Sequence, residues 1–533
     1  MSEKNDEELA RLVTDAEKRL RADRAGFEPL WEDAAAFVCP RLNDFNIKSQ
    51  GGQRTRKVYD TTAITAAELL AASIVGIVAN PAAQWFFLKF TDDENNDDAN
   101  AREWLDECSG IILNHFNQPQ ANFAQAFHET IASLVVFGTS GLYEGYADGH
   151  LIFISQFTGD FTLDEDETGR PCAWFRKIEM TARQIAKMFP ETMPERVKTA
   201  VDNNRFDDKF EIVHAIYERG YFMRRDNGLH AFKSVYVGEN SVLAESGYFE
   251  QPFFSPRWGK SSVEKYGRSP AVAMLPDIKM LQAMMKETLI SAQLSNRPPL
   301  LVRDDDQMNG YDIVPGAVLR YSNQPPQPFT AGANFSVSME MMQEVRNRIR
   351  IGFYNDQLMM QNGVQMTATE VLQRTEEKMR LMAPILGRVQ SELLGPLAER
   401  AFGLLARQNV LPPPPEGLEG KIQVRYASPL ETAQRKSTLE SAQQFVAFAQ
   451  AVMQLSPQTA DAVDFDEIMR KAAEALDIQS ATIPKEELKE IRKQRQEEAA
   501  RQQLIADQMT QNELTGQALN NEAVARQIAN GGG

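Results

Sequence analysis

Residues able to do chemistry are few in this chain and poorly spaced for it. The stretch "HETIA", beginning at His128, opens like the zinc-protease helix H-E-x-x-H, but Ala132 stands where the second imidazole ligand is needed. "GTSG" at Gly138 lacks the flanking glycines of a G-x-S-x-G nucleophile elbow and reads as a turn. The acidic runs "DEDETG" and "DDDQMNG" offer carboxylate oxygens without the glutamate that closes the twelfth position of a calcium loop, so they too read as turns. A metal-dependent hydrolase or nuclease built on them would lose its activity with Asp304 or Asp306. No G-x-x-x-x-G-K-[ST] phosphate loop occurs, and the five histidines are not paired at ligand spacing. The residues therefore indicate no catalytic group, no metal and no cofactor.

Composition bounds what else the chain can be. Its 533 residues, 43% of them hydrophobic, suffice for three or four domain-sized cores. A formal charge of −17 argues against a broadly basic surface that coats DNA or membranes. Cys39, Cys108 and Cys172 are too few and too scattered for a disulfide framework, which points to synthesis in a reducing cytoplasm. The polar start "MSEKNDEELAR" has no signal-peptide pattern, so secretion is not expected. Leu69 to Leu88 is long enough to span a bilayer, but Asn80-Pro81 breaks it, and it reads as a buried helix, a turn and a strand.

Apolar spacing predicts two helices between Glu7 and Phe37 joined near Gly26, a third over Thr62 to Ala79, and two more over Arg102 to Asn117 and Ala121 to Phe137. From Gly141 the pattern turns to short β-prone runs separated by Gly and Asp, ending near Arg268, so the amino-terminal half is an α+β domain. The remainder is mostly helical. Met274, Ile278, Leu281, Met285 and Leu289 form one stripe, and Met342, Val345, Ile349 and Phe353 another, on two rods of roughly 30 Å. A Pro/Gly-rich module with short strands separates them. After the loop "QNGVQM", Thr367 and Glu370 match a capping box that opens a long helix, which Pro384, Gly387 and Gly395-Pro396 are expected to interrupt. Beyond "LPPPPEG", a short strand and further helices lead to a Glu/Gln/Ala/Arg-rich tail that is either an exposed helix or partly disordered.

Read together, "GRSPAVAMLPDIKMLQ", "NRPPLLV", "MTATEVLQRTEEKMRLMAPILGRVQSELLGPLAERAFGLL" and "YASPLETAQR" resemble the portal, or head-to-tail connecting, proteins of short-tailed phages (podoviruses). "YDTTAITAAELLAASIVGIVANPAAQWFFL" and "FGTSGLY" extend the resemblance over most of the chain, from about Phe27 to Arg435.

The resemblance implies a predominantly helical α+β portal fold assembled as a ring, usually of twelve copies, at one capsid vertex of the virion. On this chain it implies a wing over 1–268, a first stem helix over 269–297, a clip over 298–336 and a second stem helix over 337–360. A channel loop over 361–367, a kinked helix over 368–410, a wing/crown segment over 411–484 and a crown or barrel helix, or disordered tail, over 485–533 complete it. The implied partners are further copies of the chain, the terminase large subunit, tail adaptor or head-completion proteins, major capsid and scaffolding proteins, and double-stranded DNA passing without sequence specificity; no membrane is involved.

The channel loop would be Gln361, Asn362, Gly363, Val364, Gln365 and Met366, all uncharged, a surface that touches a moving duplex without gripping its phosphates. Twelve copies would carry roughly −204 formal charges, a low-friction acidic sleeve where they face the bore. Arg346 and Arg350, four apart on one face of the second rod, would form a ring of positive charge or pair with acids within or between subunits. The methionine-rich faces of the rods serve either as an adaptable interface between copies or as ordinary packing. "RTRK" at Arg54 is an exposed turn or a DNA contact. A capsid or scaffold protein that forms shells is the competing structural reading.

Overall fold

The computed structural model describes residues 2–42, 55, 57–80, 84–91, 98–223, 228–296, 300–301, 327–328, 335–355, 380–415, 422–426, 443–450, 465–475 and 488–502. They fall into two units, one comprising Met1–Phe87, Cys108–Pro412 and Val424–Leu430, the other Leu88–Glu107, Pro413–Gln423 and Glu431–Gly533.

The first unit begins with α1 (Ser2–Arg24) and α2 (Glu28–Val38), which part at Gly26 as their apolar spacing predicts. The expected third helix is α3 (Thr62–Val78), whose small side chains Ala63, Ala66, Ala67 and Ala71 let neighbours approach closely. The strand expected after Pro81 is β1 (Phe86–Phe90), and no helix among the described residues is long and apolar enough to cross a membrane. Next come α4 (Ala99–Phe116) and α5 (Phe123–Phe137). The second half of α5, "TIASLVVF", is buried on every side, with Thr130 satisfied by the Ala126 carbonyl at 2.7 Å.

An Asp-Gly turn then folds β2 (Gly141–Ala147) back on β3 (His150–Gln156), with positive φ at both Asp148 and Gly149, the backbone a tight two-residue hairpin demands. Trp85, Phe116, Phe123 and Phe153 stack between this hairpin, α4 and α5. The "GTSG" motif is the junction after α5. Gly138 ends the helix at φ +79°, Thr139 accepts from the Gly267 amide at 2.9 Å, and the buried Ser140 hydroxyl has no hydrogen-bond partner among the described residues.

Strands β4 (Phe161–Glu165), β5 (Pro171–Thr181), β6 (Lys209–Glu218), β7 (Phe232–Gly238) and β8 (Ser241–Tyr248) form an antiparallel sheet in chain order. β9 (Phe253–Phe254) returns to pair with β2. Helix α1 covers one face of the five-stranded sheet, laying Leu9, Val13 and Leu20 on Phe175, Ala215 and Val235. Two helices that the sequence reading did not anticipate, α6 (Ala182–Met188) and α7 (Glu195–Asp202), cover part of the other through Ile185, Phe189 and Val197 against Ile212 and Leu243. The acidic cluster "DEDETG" is a turn: the Asp166 carboxylate accepts from the Thr168 and Arg170 amides, each at 2.8 Å. Burial alone would raise the Asp164 pKa, but hydrogen bonds from Tyr221, Lys265 and Arg19 hold it at about 2, a firmly ionised carboxylate.

After the second rod, residues 380–389 run as α-helix straight through Pro384, which corrects the expectation of a break there. The irregularity comes one turn later, in a π-helical segment at Gln390–Leu394, followed by a helix over Gly395–Arg407. Pro396 has no N–H for the carbonyl four residues back, and its ring crowds that carbonyl, so the turn widens and the Gly395 amide bonds Gln390 instead.

That wide turn holds Glu392, whose carboxylate grips Arg257, a side chain only 1% exposed. Glu392 accepts from the Arg257 main-chain amide at 2.9 Å and from its guanidinium at 2.7 and 3.2 Å. Glu165 binds the same guanidinium from the sheet side, and Lys260 shares Glu165. One buried cation thus ties the sheet, the chain after β9 and the π turn.

In the second unit, Phe90 stacks on Trp104 and Arg492 pairs with Asp466 through two bonds of 2.5 and 2.7 Å. Residues 443–450 and the helix Phe465–Ala475 fall within the expected helices, and residues 488–502, where the sequence left helix or disorder open, are helical.

Replacing Arg257 by Met strands the Glu392 carboxylate and leaves Glu165 with Lys260 alone, so chemical denaturation should show a loss of about 3–5 kcal/mol. The double variant Arg257→Met/Glu392→Leu should recover a large part of it; equal losses in both would show that the cation is not the tie.

Candidate functional site: two rods and the clasp that holds them

The first rod, α8 (Pro270–Asn296), starts where Ser269 accepts from the Val272 amide at 3.0 Å and donates to the Val136 carbonyl at 2.7 Å, fixing it to the end of α5. Its 27 residues make a rod of roughly 40 Å. The second, α9 (Phe335–Gly352), has 18 residues; Tyr354 takes φ +58°, a left-handed step that ends it, Asn355 is helical again, and 356–360 of the expected rod lie outside the described residues. The two pack side by side with α3 behind them. Of the predicted α8 stripe Ile278 and Leu281 are buried, together with Leu275, whereas Met274 and Met285 are half-buried and Leu289 is 47% exposed; Met342, Val345, Ile349 and Phe353 of the second stripe are all buried, and Gly352 leaves room for Met274.

One carboxylate organises the seam. Asp60 precedes α3, and its Oδ1 accepts from the Thr62 amide at 2.8 Å while Oδ2 receives Arg346 Nε of α9 at 2.9 Å. Gln282 of α8, buried, completes the junction: its Oε1 accepts from the Tyr59 and Asp60 amides at 2.6 and 2.9 Å, and its Nε2 donates to the Asp60 carbonyl at 2.7 Å. Burial works to raise the Asp60 pKa, but the bonds from Thr62 and Arg346 outweigh it and the net shift is downward. Beyond the rod, Asn355 is buried with its amide assigned so that nitrogen faces the Ala66 carbonyl at 3.2 Å and the Phe353 carbonyl at 3.1 Å. Both ends of the lower half of the seam are thus pinned to α3.

The sequence-predicted residues separate in this frame. Arg346 lies in the clasp, half-buried, whereas Arg350 is exposed and reaches only Asn347 at 3.5 Å. Arg348 pairs with Asp277 of the other rod at 3.4 Å and not with Glu344 one turn before it. The methionines divide: Met342 is in the core, while Met339 and Met341 are 64% and 55% exposed. The loop Gln361–Met366, the capping pair Thr367 and Glu370, Arg54, and Asp304 and Asp306 lie outside the described residues. Of the module between the rods, Leu300–Leu301 pairs antiparallel with Gln327–Pro328.

The Gly395–Arg407 helix is anchored separately. Arg400, buried, donates to the Glu144 and Glu250 carbonyls at 3.2 and 3.0 Å, and Arg407 pairs with the Glu250 carboxylate, its Nη2 at 2.7 Å. The Glu144 carboxyl itself is fully buried with no hydrogen-bond partner among the described residues, and burial drives its pKa well up despite Arg400. Asp60, Gln282, Asn355, Arg257, Glu392 and Arg400 were all missed from sequence. Only Asp60 carried a local signal, an acid two residues before a helix start. Among the described residues no group of three or more His, Cys, Asp or Glu could hold a metal ion.

A five-stranded sheet with helices on both faces, two packed rods and a short strand pair between the rods make up the described fold of the first unit. The family model for bacteriophage head to tail connecting proteins matches residues 11–483, and the chain belongs to that family, with the portal function the motifs implied. A probable portal protein of Bordetella phage BPP-1 is 30% identical over 512 residues, covering 92% of each chain. The portal protein of Salmonella phage epsilon15 is 27% identical over 512 residues, covering 92% of this chain and 91% of that one. A chain in the neck of an empty gene transfer agent particle aligns with a TM-score of 0.37 at 10% identity, over 72% of this chain and 86% of that one.

Substituting Arg346 by Leu leaves Asp60 short of its main countercharge, and Gln282→Leu orphans two amides and a carbonyl. Each should lower stability by about 1–3 kcal/mol in chemical denaturation. Because the Asp60 pKa is depressed in the fold, its contribution is present above the ordinary carboxylate range and is lost as pH falls through the folded value; Arg346→Leu should flatten that acid slope.

Proposed function

We propose that copies of this chain close into a ring, twelve by family resemblance, at one vertex of the capsid, with the rods beside a channel through which double-stranded DNA enters and leaves. The observation that carries this is the apolar surface the rods leave uncovered. Leu289, Ile290 and Leu294 of α8 and Met339, Met341 and Ile351 of α9 are all exposed, on elements whose other faces are packed. Runs of large apolar side chains along two neighbouring rods call for a partner surface, and a repeated head-to-tail contact that closes supplies it without a second kind of subunit.

In this reading the clip at 298–336 meets the terminase large subunit during packaging and tail adaptor proteins afterwards, and the wing faces the major capsid and scaffolding proteins. The protein turns nothing over itself. Residues 361–366 form the lip facing the duplex, joined to the wing through the capped, π-turned helix that follows. Arg346 has its charge committed to Asp60, so any stem ring of positive charge belongs to Arg350. The acids of a chain of net charge −17 keep the remaining bore from holding phosphates.

Changing Met341 and Ile351 together to Glu should leave a folded species that sediments as a monomer, whereas the unaltered chain sediments as one large closed assembly. Unchanged assembly would refute the rod–rod interface. Deleting residues 361–366 should preserve assembly and impair retention or passage of packaged DNA in an infection or packaging assay. Full packaging and retention would remove the loop from the channel.

A further inference from the structure

The five-stranded sheet carries on its α6/α7 face a polar row that the portal function does not use. Arg176, His214 and Tyr236 stand opposite one another on β5, β6 and β7. Arg176 is the only cation of the row, and its hydrogen bonds go to neutral atoms: Nη1 to Gln156 Oε1 at 2.7 Å and Nη2 to His214 Nδ1 at 3.2 Å. Its Nε is buried with no partner.

His214 is a neutral acceptor here. Its Nε2 bonds Ser234 at 2.9 Å, its ring stacks on Tyr236 at 4.0 Å, and burial and Arg176 hold its pKa well down. The nearest carboxylate acting on Arg176, Asp160, does so through space without a hydrogen bond to it. A largely desolvated guanidinium held only by neutral groups is costly. Every other deeply buried arginine described above has a carboxylate beside it.

The surroundings are suited to an anion. The Tyr143, Tyr236 and Tyr248 hydroxyls all lie within electrostatic reach of Arg176; Tyr143 and Tyr248 approach each other at 3.5 Å, and the Tyr236 hydroxyl makes no hydrogen bond among the described residues. All three tyrosines, with Gln156 and Arg176, are only partly buried, so solvent reaches the row. We infer that this row binds a single oxyanion group, phosphate or carboxylate, on the Nη edge of Arg176, with tyrosine hydroxyls and the Gln156 amide as further donors. Planar, forked donation by arginine suits either group; a lysine at 176 would not replace it.

The test uses the full assembled chain. Inorganic phosphate and sodium acetate are titrated separately by calorimetry and by thermal unfolding, against sodium chloride at equal ionic strength. Wild type should bind at least one of them with saturation and a raised unfolding temperature. Phosphate alone identifies a phosphate-type site, and acetate alone a carboxylate-type site. Arg176→Gln should lose binding at least tenfold, and Tyr236→Phe, which keeps the ring stacked on His214, should weaken it several-fold. No saturable binding of either anion by wild type, or equal binding by Tyr236→Phe and Arg176→Gln, would overturn the assignment; should Arg176→Gln fail to fold, full-strength binding by Tyr236→Phe does so alone.

Discussion

Two long helices can stand side by side over a wing only if something fixes their register, and here that falls to one carboxylate. Asp60 sits where α3 begins, and α3, α8 and α9 all place a hydrogen-bonding group on it or on its own amide and carbonyl. An apolar seam alone resists separation but slides at little cost, since Met and Leu side chains repack readily. A charged, directional junction does not slide, because moving it by one turn leaves Asp60 and two amides unpaired in a buried place. The register then decides which apolar residues point away from the seam, and hence which surface is offered to another copy.

The same economy of charge recurs across the first unit. Arg257 is held between Glu165 and Glu392, Arg24 pairs with Glu28, and Arg400 stands beside Glu250. Such pairs contribute little net energy against apolar replacements, but breaking one is expensive, so they specify which elements meet. Among the described residues the acids of the Asp166 cluster are closed into a turn and no group of acids is placed to hold a metal.

Much of the fold was legible in the sequence because its signals were local. The 3.6-residue stripes gave α1 to α5 and both rods, and alternation with Asp-Gly and Gly turns located every strand of the wing sheet. Two short helices, α6 and α7, went unseen, although Thr181 and Gln184 form the same kind of capping box read at Thr367 and Glu370. At seven and eight residues they show too few repeats of the helical period to stand out. Of the interruptions expected at Pro384, Gly387 and Gly395-Pro396, only the last appears in the hydrogen bonding, as the π-helical turn at Gln390–Leu394. Proline chemistry predicts a disturbance but not which of two prolines the surroundings will accommodate. The clasp was illegible for a different reason: Asp60, Gln282 and Arg346 are separated by more than 200 and by some 60 residues in the chain, and pairing over such distances leaves no spacing to read. Arg350 was drawn with Arg346 by helical spacing, yet only Arg346 faces the wing.

The account stands on the exposed rod faces being buried against identical copies around an open axis. Electron-microscope images of the purified full chain at micromolar concentration measure this directly. It predicts closed annuli of uniform size with a central hole. A monodisperse monomer, or open sheets and shells without a hole, would contradict it.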